Sequence, residues 1–150
     1  MLYVTLKYLH VLLAIVAVGF NIAYGLIIGR AKKTGTAELA FALKTVKVMD
    51  DYVANPCYIL LLVTGVGRVH VAGLPWKLLW IHMSMALLVV LAALGFGLYT
   101  PTLRKQIAAL ERGGPDDPEF VALGKRGAML GGVMGGIVFV IIGLMVYKPV

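Results

Sequence analysis

The residues LLWIHMSMALLVVLAALGFGLYTPTL, Leu78 to Leu103, contain no Asp, Glu, Lys or Arg. At 1.5 Å per residue a helix of this length covers about 39 Å, enough to cross the roughly 30 Å hydrocarbon core of a bilayer. Three more charge-free stretches accompany it: Tyr8 to Gly29, Tyr52 to Gly67 and Gly127 to Tyr147. The second is the shortest, about 24 Å at helical rise, and spans if Arg68 snorkels and the helix continues to Val71. The first is longer than the apolar core of a signal peptide, and Asn21-Ile-Ala-Tyr-Gly is a poor cleavage site, so it reads as a retained helix.

Composition agrees with this pattern. The chain is 61% hydrophobic with mean hydropathy +0.93, more apolar surface than 150 residues can bury in a globule, so lipid is the solvent for much of it. Backbone groups in lipid need internal partners, and stretches near 20 residues without strict alternation are too long for barrel strands. The fold class is therefore all-α: a four-transmembrane-helix bundle, up-down-up-down, one domain over residues 1–150 with helices about 3–29, 52–71, 76–100 and 127–147.

The net charge of +7 does not indicate nucleic acid, because the basic residues sit where helices meet water. Arg30, Lys32, Lys33, Lys44 and Lys47 follow the first helix, and Arg104, Lys105, Arg112, Lys125 and Arg126 follow the third. Lys7, Arg68, Lys77 and Lys148 remain for the other side. By the positive-inside rule both termini lie outside and the two long connections are cytoplasmic. All seven acids fall in those connections, which weakens any carboxylate relay through the membrane. Cys57 is the single cysteine and reads as a small buried apolar residue.

Within this frame a few residues can carry chemistry. His10 opens the first helix and His82 the third; in an up-down bundle these helices run parallel, so the two imidazoles share a depth near the outer leaflet. His10, Ala14, Ala17, Asn21 and Tyr24 draw one small and polar stripe that lipid would reject, and His82, Met85, Ala86, Val89 and Ala93 draw its counterpart. Cys57, Leu61, Thr64 and Arg68 share a face of the second helix, which brings a cation near the histidine level. Two facing imidazoles ligate a b-type haem, and an arginine pairs with its propionate. The cofactor-binding set is thus His10, His82, Arg68 and Asn21, with His10 and His82 as metal ligands; the alternative is that each histidine only bonds between helices. His70 reads as solvated. Gly127, Gly131 and Gly135, with Gly132 and Gly136, let another helix, a flat ring or a second protomer approach the fourth helix closely. Asn55-Pro56 reads as the first turn of the second helix, where proline is tolerated, and Gly113-Gly-Pro-Asp-Asp-Pro as a break in the second connection.

Lys7-Tyr-Leu-His10, Met49-Asp50-Asp51, Trp80-Ile-His82 and Leu103-Arg104-Lys105 resemble the superfamily of HemJ-type protoporphyrinogen oxidases and copper-resistance CopD proteins. Nearest is its branch of predicted integral-membrane proteins without an assigned function. The resemblance implies a haem-binding four-helix fold in the bacterial cytoplasmic membrane, with His10 in the place of the histidine essential to the oxidases. Those enzymes carry a lysine two residues after the helix 3 histidine; this chain has Ser84, so oxidase activity is not expected. The expected function is a haem b protein for electron transfer, linked to quinol or serving as the anchor subunit of a redox complex. Two alternatives are a porphyrinogen-oxidising enzyme and a cofactor-free structural or copper-handling protein using Met83, Met85 and His82. No residue is singled out as catalytic.

Overall fold

The computed structural model describes residues 1–149. Four long helices fill them: α1 (Leu2–Ala31), α2 (Thr36–Val71), α3 (Leu79–Gly113) and α4 (Pro118–Tyr147), with no strand among the described residues. All four are long and apolar enough to cross a membrane. They alternate in direction, so both termini and the α2–α3 turn lie at one end of the bundle, the terminal end. The α1–α2 and α3–α4 connections lie at the other, the loop end.

The helices run further than their charge-free stretches. Thirty to 36 residues each correspond to about 45–54 Å, well beyond the hydrocarbon thickness. In α2, α3 and α4 the excess projects mainly at the loop end, where helix-favouring Ala, Leu and Lys continue the spans. There the sequence becomes amphipathic: Leu39, Ala42, Leu43 and Val46 of α2 recur at helical spacing and are buried against Leu103, Ala109 and Leu110 of α3 and Phe120 of α4. Gly114, at φ +80°, ends α3, and the Asp117 carboxylate accepts from the Glu119 amide at 2.8 Å to start α4 behind Pro118.

Because α2 begins at Thr36, Pro56 lies inside a helix rather than at its first turn. Pro101 likewise lies inside α3, which does not stop near residue 100. Each proline follows a π-helical turn, Asp50–Ala54 in α2 and Gly95–Tyr99 in α3. A proline ring has no N–H to donate and collides with the carbonyl four residues back. Widening the turn that holds that carbonyl relieves the collision without ending the helix. The two motifs are in register, π-turn then Asn55-Pro56 and π-turn then Thr100-Pro101, and they meet in the bundle interior.

Side-chain burial corrects two of the expected faces. On α1, Ala17 and Tyr24 are buried, as the stripe through His10 and Asn21 requires. In the first half of α3 the buried residues are Ile81, Ser84, Leu91 and Gly95, while His82, Ala86, Val89 and Ala93 are exposed and only Met85 of the expected stripe is half-buried. Alanine and valine are as acceptable to lipid as to protein, so a stripe of them on an apolar helix does not say which way it faces. The second correction concerns α4. A Cβ added at Gly131, Gly132, Gly135 or Gly136 would meet nothing within 4 Å, so no other helix of this chain packs closely on these glycines. α1 packs chiefly on α2 and α3 chiefly on α4, and the α1–α4 seam between the two hairpins stays open.

Candidate functional site

Polar side chains enter the apolar interior at two levels. At the terminal end, His10 Nδ1 lies 2.8 Å from Thr64 Oγ1. The Thr64 hydroxyl donates its only proton to the Leu60 carbonyl at 2.7 Å, so Nδ1 is the donor to Thr64 and Nε2 keeps the lone pair. Gly65 makes room, since a Cβ there would come within 3.3 Å of His10 Cε1. Arg68, one turn beyond Thr64, places its guanidinium 5.7 Å from the Tyr3 ring centre, and its buried Nε has no hydrogen-bond partner. His10 and Arg68 share a cavity of about 40 Å³ with Met85 and Met145.

Of the residues expected to bind a cofactor, this end therefore assembles His10 and Arg68. His82 is exposed on α3 and Asn21 lies at the other level. Ser84 is buried, on a different face of α3 from His82. A b-type haem held between His10 and His82 does not fit these positions: one imidazole points away from the shared cavity, and that cavity has room for a few waters rather than a porphyrin. Among the described residues no three His, Cys, Asp or Glu side chains cluster as a metal site.

The second level lies toward the loop end, under the α1–α4 seam. A crevice of about 430 Å³ opens there, within the size range of small-molecule sites. Glycines contribute bare backbone to its lining from both helices, Gly25 and Gly29 on α1 and Gly131 and Gly132 on α4, beside apolar side chains such as Ile28, Leu103 and Met134. Its polar lining comes from Asn21, Tyr24, Tyr99, Gln106 and Lys32. Asn21 Nδ2 donates to the Ala17 carbonyl at 2.8 Å and to the Tyr58 hydroxyl. Tyr24 is 2% exposed, yet its hydroxyl has no partner. Gln106 is buried against Gly124, where a Cβ would approach its Nε2 to 3.1 Å.

Beneath the crevice the two π-turns meet. Asp50 is 3% exposed, and its Oδ2 accepts from Thr100 Oγ1 at 2.6 Å and from Asn55 Nδ2 at 3.5 Å. Gly95 lets the chains approach: a Cβ there would lie 3.5 Å from Met134 Cε and 3.9 Å from Asn55 Oδ1. Asp50 is thus separated from the other acids of the connections, Asn55 lies in the interior rather than in a first helical turn, and Tyr58, Tyr99, Thr100 and Gln106 join them as polar residues outside the expected set. The usable signal was the pair of polar-proline steps, Asn55-Pro56 and Thr100-Pro101, each inside or bordering a charge-free stretch where a polar residue needs an internal partner.

No curated protein and no solved structure matches the chain. A family model does, over residues 4–149, and its description is that of a predicted integral membrane protein, with neither porphyrin oxidation nor copper handling attached. Four helices long and apolar enough to span a membrane and a match along nearly the whole sequence agree: the chain belongs to the DUF2269 family of predicted integral membrane proteins.

Proposed function

We propose that this protein binds a flat lipophilic ring bearing oxygen acceptors, a quinone or quinol, in the crevice between α1 and α4. The observation that carries the reading is the Tyr24 hydroxyl, a donor buried without an acceptor beside a 430 Å³ space. An unmade hydrogen bond of this kind costs about 1–3 kcal/mol, and a ligand carbonyl would recover it. Gln106 and Lys32 supply further donors along the same wall. Glycine backbone contributed by both α1 and α4 leaves room for a planar ring to lie close to the helices. Gly25, Gly29, Gly131 and Gly132 are exposed, so a lipid-soluble molecule can enter sideways from the bilayer.

This keeps the quinol link expected from the sequence and sets aside axial ligation by His10 and His82, whose placement does not support it. The basic residues favour a cytoplasmic loop end in a bacterial inner membrane, with the crevice in the inner leaflet. Calorimetric titration of a short-chain quinone into the protein in nanodiscs tests the reading. One site per chain is expected, and Tyr24→Phe should weaken it about three- to tenfold, the worth of one hydrogen bond. Equal affinity in Tyr24→Phe overturns it. So does release of a stoichiometric phospholipid that the quinone cannot displace.

A further inference from the structure

Among the described residues Asp50 is the one buried carboxyl group; the other six Asp and Glu residues are exposed or half-buried. The amphipathic part of α2 carries it there, since the inward series Leu39, Leu43 and Val46 continues to position 50. Its hydrogen-bond donors are neutral, the Thr100 hydroxyl and, at the limit of reach, the Asn55 amide. The nearest cation, Lys47, is joined to Asp51 instead, and no ion pair among the described residues includes Asp50. A carboxylate removed from water with no counter-cation is costly, and taking a proton removes the charge.

A second observation points the same way. Asn55 Oδ1 is buried with no donor, while its Nδ2 sits 3.5 Å from both Asp50 and Thr100. Turning the amide over would offer that oxygen to a carboxylic O–H, giving an acid–amide pair in place of two long contacts. The junction thus has a hydrogen-bonding arrangement ready for each protonation state of Asp50.

We propose that Asp50 is a proton-binding site serving the crevice, so that a proton and the crevice ligand bind cooperatively. The titratable groups that interact with it are Tyr24 from α1, Lys47, Asp51 and Tyr58 from α2 and Tyr99 from α3; the α4 side chain beside this junction, at Gly95, is the uncharged Met134. Tyr24 and Tyr99 also line the crevice. An ionised Asp50 beneath them repels an electron-rich acceptor oxygen above; a neutral Asp50 does not. The coupling rests on the ligand reading given above, whereas the proton on Asp50 does not.

Two measurements separate those parts. Quinone affinity in nanodiscs should fall as pH rises, by up to about tenfold per pH unit through the transition, as linkage to one proton requires. In Asp50→Asn, which holds the position neutral, that dependence should vanish. A wild-type affinity that ignores pH, or an Asp50→Asn variant with the wild-type slope, overturns the coupling. Infrared spectra of the ligand-free protein should show the carbonyl stretch of a protonated, buried carboxyl group that is lost in Asp50→Asn. Its presence supports the site even if no quinone binds, and its absence across the pH range overturns the proton site even if quinone does.

Discussion

The two ends of the bundle place polar groups at similar helix–helix seams and finish them differently. At the terminal end His10 and Thr64 satisfy each other and the space left over is about 40 Å³. Toward the loop end Tyr24 is left without a partner beside about 430 Å³. The histidine catches the eye in the sequence, yet its ring is already engaged, and the unpartnered Arg68 Nε beside it has space only for waters, whereas the Tyr24 hydroxyl lacks a partner beside the larger opening. In a membrane interior, where any polar residue must be satisfied, room and an unmade hydrogen bond together distinguish a binding position from a structural one.

Filling the roomier end is the most severe way to break this contrast. Gly131→Leu puts a side chain at the crevice from a backbone position whose Cβ would meet nothing within 4 Å. Quinone binding should drop at least tenfold in titration, while the variant elutes and unfolds like the parent. At the tighter end, Thr64→Val removes the His10 partner. Interhelical hydrogen bonds in membrane bundles average about 0.6 kcal/mol, so thermal unfolding in detergent should shift slightly downward and quinone affinity should stay unchanged. The smallest effect belongs to His82→Ala, on the exposed face of α3. Stability should move by less than about 0.5 kcal/mol, and the absorption spectrum of the purified protein should be that of the parent. A Soret band lost in this variant would restore the imidazole as a haem ligand.

The four spans were legible because lipid imposes a long, charge-free signature that few alternatives share. The inward face of α1 was legible too, since Asn21 and Tyr24 are unwelcome in hydrocarbon. α3 offered no such guide: its apolar residues carry no preference between lipid and protein, and of the stripe through His82 only Met85 turns inward, the other four residues being exposed. The crevice was hidden for a related reason. Glycine at four-residue spacing is equally compatible with a helix pressed against it and with open space, and only the pairing of α1 with α2 and of α3 with α4 decides. Asp50 escaped notice because helices were taken to begin with their apolar stretches, which put residue 50 in water.

The paired π-turns have a consequence for how the two parts of each helix are phased. Below them, contact with water dictates the inward face of α2 and α3 through amphipathic residues such as Leu39, Leu43, Leu103 and Leu110. Above them, the inward face is chosen by shape, because lipid and protein interior are alike to an apolar side chain. A continuous α-helix would lock these two choices to one angular register, about 100° per residue. A wider turn absorbs part of that angle, so the stump in water and the span in lipid can each keep its own best face, geared together at Asn55 and Thr100.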